Sequence, residues 1–129
     1  MPNYGTPQAG FNQTSPGLNL TTLLPGDRLA LFNAETPTAP QASVAFARGY
    51  APQGQPPRIT FTVAFAAQPT AVVQIQGANQ DLDAQYQTLF SSAVNDQTSS
   101  YVDNGCFAFY RARLDSQTAG GALTVIAQL

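Results

Sequence analysis

The stretch Arg58-Ile59-Thr60-Phe61-Thr62-Val63-Ala64-Phe65-Ala66 decides the fold class. Ile59, Phe61, Val63 and Phe65 fall on one side of an extended chain, and Arg58, Thr60, Thr62 and Ala64 on the other. Successive side chains of a strand point to opposite faces, so this alternation describes a strand with one buried face. Working outward, Gln68-Pro69 marks a turn, and Ala71–Gln76 places Ala71, Val73 and Ile75 inward with Gln74 and Gln76 outward. After the polar loop Gly77–Ala84, Gln85–Ser91 reads as a strand around Tyr86, Leu89 and Phe90. Asn95–Ser99 reads as a loop and Tyr101-Val102 as a short strand. Asp103-Asn104-Gly105 is a turn, because Asn-Gly tolerates positive φ. Cys106–Leu114 then sets Tyr110, Ala112 and Leu114 on one face and Phe107, Phe109, Arg111 and Arg113 on the other. Ala119-Gly120-Gly121 turns the chain into a last strand, Ala122–Leu129.

Upstream of the deciding stretch, Ala51–Pro57 is a Pro/Gly loop. Ala42–Tyr50 alternates Val44, Phe46 and Arg48 against Ala45 and Ala47, and the loop Thr36–Gln41 carries Pro37 and Pro40. Asp27–Asn33 is a short strand opened by Pro25-Gly26. The sum is about eight short strands without a useful amphipathic helix, the spacing of an antiparallel β-sandwich or jelly roll. The expected fold class is therefore all-β, with a sandwich domain over residues 27–129.

Residues 1–26 have another texture. They hold no charged side chain, and Pro2, Pro7, Pro16 and Pro25 oppose helix throughout. Disordered tails usually combine high charge with few apolar groups. This segment instead carries Tyr4, Phe11, Leu18, Leu20, Leu23 and Leu24, with Leu18 and Leu20 spaced to line one face of a strand. It is expected to be an extended arm. Its apolar side chains must cover either the chain's own sheet edge or a neighbouring subunit.

Composition excludes most chemistry. The 129 residues carry a net charge of −2, and only 9% are charged, against about a quarter in an average globular chain. All five cations are Arg, and there is no His. General bases near neutral pH are mostly His, and serine or cysteine nucleophiles lean on His or Lys. Neither is present, which leaves carboxylates alone for catalysis, and the expectation is a protein without enzymatic activity. With a single Cys and no His, a thiolate or imidazole metal site cannot form. Five Arg in an acidic chain cannot make the cationic footprint that duplex nucleic acid requires. Cys106 is expected as a small buried hydrophobe within its strand. The start has no basic region and no apolar run, so it does not read as a signal peptide, and no stretch is apolar enough to span a membrane. The expectation is a soluble protein that needs neither cofactor nor membrane. Asn12-Gln13-Thr14 and Asn19-Leu20-Thr21 match the glycosylation sequon by chance.

Candidate sites are few. Asn79, Asp81 and Asp83 alternate in one loop and could offer oxygens to Ca²⁺, but the full EF-hand pattern is absent and a solvated turn is the better reading, so no metal is expected, with Asp81 and Asp83 the weak candidates. Asp103 and Asp115 could pair across a cleft as glycosidase carboxylates do, but each sits where ordinary turn chemistry puts Asp. Sugar recognition favours exposed aromatic rings; without Trp it would fall to Tyr residues or to Phe107 and Phe109. A strand face that mixes Phe107 and Phe109 with Arg111 and Arg113 suits a protein interface, where aromatics and Arg are enriched. Together with Phe11, Leu18, Leu20, Leu23 and Leu24 of the arm, these are the expected partner-binding residues.

Four runs carry a resemblance: Pro69-Thr70-Ala71-Val72-Val73-Gln74-Ile75-Gln76-Gly77-Ala78-Asn79, Tyr86-Gln87-Thr88-Leu89, Phe109-Tyr110-Arg111-Ala112-Arg113-Leu114, and Gly120-Gly121-Ala122-Leu123-Thr124-Val125. Over residues 58–128 the chain resembles a β-sandwich of small structural proteins of tailed bacteriophages, with Tyr86 where such runs often have Trp. Related sandwiches also serve as carbohydrate-binding modules. The resemblance implies a virion component of the head decoration, or cement, type. Such a protein would be made in the host cytoplasm and seated on the outer capsid surface, bound to the major capsid protein and to itself as a homodimer or homotrimer. The alternatives are a glycan- or receptor-binding sandwich of a tail or fibre, and a head–tail joining protein.

Overall fold

The structure is a computed structural model that describes residues 21–24, 26–49 and 58–129. Its strands are β1 (Thr21–Leu23), β2 (Arg28–Glu35), β3 (Gln41–Ala42), β4 (Phe46–Arg48) and β5 (Ile59–Phe65). They continue as β6 (Thr70–Ala78), β7 (Gln87–Ser91), β8 (Thr98–Asp103), β9 (Phe109–Ala119) and β10 (Leu123–Gln128). One sheet runs β1-β4-β9-β6-β7, with β3 also on β9, and the other runs β2-β10-β5-β8. All pairs are antiparallel except β1 with β4. The chain is an all-β sandwich.

The deciding stretch behaves as its alternation requires. Ile59, Phe61, Val63 and Phe65 are buried, as are Ala71, Val73 and Ile75 of the opposing sheet. Tyr110, Ala112 and Leu114 of β9 and Leu123, Val125 and Ala127 of β10 complete the core, all with no exposed surface. Phe46, Phe61 and Tyr110 meet at its centre, with ring centroids 5.8–6.2 Å apart. Truncating any of these rings would cost about 3–5 kcal/mol.

Several expectations are corrected. Ala42–Tyr50 is not one strand but β3 and β4, interrupted where the Ser43 hydroxyl accepts from the Ala112 amide and donates to the Val44 carbonyl. A side chain there substitutes for ladder hydrogen bonds, so the alternation slips and Val44 is 70% exposed instead of facing with Phe46. β8 begins at Thr98, inside the expected loop 95–99, because its Ser and Thr residues pair with β5 over six positions. Gln85 and Tyr86 lie outside β7: Asp83–Gln85 is a single 3-10 turn that Tyr86 closes. Cys106 lies ahead of β9 and is exposed, not buried. The Asp103-Asn104-Gly105 turn does hold a positive-φ glycine, at φ 74°. It carries the chain from one sheet to the other, since β8 and β9 do not pair.

The arm boundary also moves. Thr21–Leu23 pairs in parallel with Phe46–Arg48, and Leu23 is 3% exposed within the core. Leu24 donates its amide to Asp27, and Gly26 donates to the Leu129 carbonyl. Residues 21–24 are thus part of the sandwich edge, and Leu23 is committed to its own chain. Phe11, Leu18 and Leu20 lie outside the described residues.

Candidate functional site

Two adjacent residues of β9 organise the polar chemistry of the molecule. Tyr110 faces inward and Arg111 outward, as strand alternation demands. Each is held by an aspartate from a different segment.

On the inner side, Asp103 is 8% exposed at the end of β8. It accepts from the Tyr110 hydroxyl at 2.5 Å, the Tyr101 hydroxyl at 2.8 Å and the Gly105 amide at 2.8 Å. The Phe107 amide in turn donates to the Tyr110 oxygen at 3.1 Å. A buried carboxylate is tolerable only when it is richly hydrogen-bonded, and this one has three donors. Burial, followed by the bond to Asp103, pushes the Tyr101 phenol up to about 12 and raises the Tyr110 phenol in the same way. The cluster ties β8, the crossing turn and β9 together. Its Asp-x-Gly turn was legible in sequence, but the two phenols that converge on it were not.

On the outer side, the Arg111 side chain is only 12% exposed. Its Nε donates to Gln76 Oε1 at 2.8 Å and its Nη1 to Asp83 Oδ1 at 2.6 Å. The guanidinium carbon lies 4.0 Å from the centre of the Tyr86 ring, a cation–π stack. Tyr86 donates its hydroxyl to Asp81 Oδ1 at 2.6 Å. Burial and the neighbouring Asp81 raise its phenol well above the ordinary value. Arg113 pairs with Asp115 at 3.1 Å one step along the strand. Gln76, Asp83, Tyr86, Arg111 and Arg113, with Ala42, line a shallow polar depression of about 460 Å³ on this face.

The structure therefore joins some expected site residues and separates others. Phe109, Arg111 and Arg113 share the outer face of β9, all partly buried. Phe107 leaves that face. It lies before the strand, packs edge-on against Tyr110 at 6.1 Å and belongs to the rim of the core. A Cβ at Gly77 would come within 2.7 Å of the Phe107 ring, so the absent side chain at 77 makes room for it. Asp81 and Asp83 turn toward Tyr86 and Arg111 instead of converging on a cation. Among the described residues no three His, Cys, Asp or Glu are grouped to hold a metal. Gln76 is the member that nothing in the sequence assigned to the site, and Tyr86 was legible only as one of five tyrosines open to sugar recognition. Gln76 stands opposite Arg111 in the β6–β9 register, a pairing that only the register reveals.

The fold and this face define a class: a small β-sandwich with self-paired charges on one outer face and an uncharged segment entering one sheet edge. No family model and no curated protein matches the chain. Among solved structures it is similar to the SPBc2 prophage-derived protein YomS, with a TM-score of 0.50 and 14% identity over 78% of this chain and 90% of that one. A likeness at that identity is one of fold.

Proposed function

We propose that the chain is a non-enzymatic structural protein of a bacteriophage virion, a capsid decoration protein that bridges capsomers on the outer surface of the head. The observation that carries this reading is the way the N-terminal segment joins the domain. Twenty uncharged residues lead into β1, a three-residue strand at the outer edge of a sheet. A segment rich in apolar and amide side chains, delivered at a sheet edge, is suited to strand addition on a neighbour. Many such contacts across a symmetric shell multiply weak affinities.

Other observations support it. Five of the described carboxylates are engaged structurally: Asp103 by two phenols, Asp81 by the Tyr86 phenol, Asp83 and Asp115 by arginines, and Asp27 by the Leu24 amide. The outer face of β9 offers Phe109, Arg111 and Arg113, residue types enriched at protein interfaces. The fold likeness to a prophage-derived protein agrees with a phage setting. The major capsid protein and further copies of the chain would be the partners. The test is co-sedimentation of the purified protein with head shells assembled without it. Saturable pelleting, reduced by deletion of residues 1–19, is expected; a full chain that stays in the supernatant refutes the proposal.

A second reading, glycan or receptor recognition, is favoured by the polar depression over Tyr86. Planar polar side chains beside a ring can bracket sugar hydroxyls. Binding to cell-surface glycan that is lost in Arg111→Ala and in Asp83→Ala, without shell binding, would establish it.

A further inference from the structure

Strand β8 ends the second sheet, and among the described residues no strand pairs with its outer side. Natural sheet edges are normally blunted by charge, proline, bulges or shortness. The other three edges of this sandwich are treated in that way. β1 has three residues. β2 carries Arg28 and Glu35 and shifts register twice against β10. β7 has a register shift against β6. β8 has none of these devices. Its six residues pair with β5 without a break, from Ile59↔Asp103 to Ala64↔Thr98. Its one charged residue, Asp103, is buried. Thr98, Ser100 and Val102 stand exposed, Val102 at 53%.

The chain supplies a segment suited to cover it. Gln8-Ala9-Gly10-Phe11-Asn12-Gln13-Thr14-Ser15 lies between Pro7 and Pro16, is uncharged and contains no proline. Geometry decides whose edge it covers. β7 lies beside β8, with the Phe90 and Tyr101 rings stacked at 5.3 Å, whereas β1 is at the opposite end of the sheet from β7. Crossing from β1 to that flank spans four strand spacings, about 19 Å, and the sheets are stacked about 10 Å apart. Six residue steps from Ser15 to Thr21 reach at most about 22 Å, less than the roughly 29 Å of a path that goes around the packed core, across one sheet and over to the other. The segment cannot cross its own domain, change sheets and still run along β8.

We infer that residues 8–15 of one copy add as a strand to the free edge of β8 in a second copy. The inference rests on the arm-mediated assembly proposed above and names the arm's receiver. Donor and acceptor are different surfaces on opposite flanks, so the arms are either exchanged reciprocally in a two-fold dimer or passed head to tail around a ring. Main-chain hydrogen bonds would supply the affinity, with Phe11 as the large apolar side chain of the added strand.

The experiment is light scattering of the full chain and of two full-length variants, Asn12→Pro and the double variant Ser100→Lys/Val102→Lys, with amide exchange read on Thr98–Asp103. Proline removes a ladder donor from the arm, and lysines blunt the receiving edge at exposed positions. The expected result is an oligomer for the parent, monomers for both variants with unchanged circular dichroism, and faster exchange in β8 for both. A monomeric parent, or an oligomer that survives in either folded variant, overturns the inference. Should the double variant fail to fold, Asn12→Pro decides alone, since it leaves every described residue of the sandwich unchanged. Shell co-sedimentation is read separately: a monomer that still pellets with shells removes this contact and leaves the decoration reading standing, and an oligomer that does not pellet does the reverse.

Discussion

Tyr110 and Arg111 are neighbours on one strand, yet their aspartates do opposite jobs. Asp103 is 8% exposed and binds three donors, whereas the Asp83 side chain is 93% exposed and binds one guanidinium. The first carboxylate is desolvated, so each of its hydrogen bonds replaces water it cannot recover. The second remains in water, so its ion pair contributes little to folding despite a distance of 2.6 Å. Distance alone would rank the two equally; burial separates them. The inner cluster holds the sandwich together, and the outer one is a surface free to meet something else.

The largest expected effect comes from breaking the inner side. Asp103→Ala leaves two phenols and the Gly105 amide without their acceptor and should cost about 3 kcal/mol or more, read by denaturant unfolding. A loss below about 1 kcal/mol would mean that the cluster is wetter than its burial implies. Alkaline titration probes the same cluster. The Tyr101 phenol, ordinarily at 10.0, is pushed up to about 12, and Tyr110 moves in the same direction. A phenol raised in the folded state contributes stability that is complete below its unfolded value. That contribution is lost as pH climbs through the folded value. Stability should therefore begin to fall near pH 10 and fall away toward pH 12, with phenolate absorbance of these residues appearing together with unfolding. Gly77→Ala comes next, at about 1–3 kcal/mol, because the added Cβ meets the Phe107 ring. Least of all is Asp83→Ala, at less than about 0.5 kcal/mol in thermal melts. If Asp83→Ala destabilised as much as Asp103→Ala, the distinction between the two faces would collapse.

The same contrast explains what was legible in the sequence. Ile59, Phe61, Val63 and Phe65 announce their burial because a strand's side-chain period is two and one face excludes water. The core strands and the all-β class follow from that local rule. Ser43 defeats it, since its hydroxyl replaces a backbone partner and lets the register slip. Phe107 defeats it because a residue just before a strand is not bound by the strand's alternation. The candidate face was half legible. Phe109, Arg111 and Arg113 alternate visibly, but Gln76 and Tyr86 join Arg111 only through the β6–β9 pairing and the turn at Asp83. Asp81 and Asp83 have the spacing of cation ligands, but Asp81 accepts from Tyr86 of the same loop and Asp83 from Arg111 of β9. Local periodicity encodes which side is dry, while partnerships across strands depend on register, which no single segment carries.

Deletion of residues 1–19 is the most direct test of a clasping arm, because every core side chain among the described residues lies at Leu23 or beyond. Head shells lacking the protein are mixed with the full chain or the shortened one, and the pelleted fraction is measured. The shortened chain is expected to keep its circular dichroism and melting behaviour but to pellet at least tenfold less at the same concentration, about 1.4 kcal/mol of lost binding or more. A shortened chain that is folded and pellets as well as the full one would contradict the clasping arm.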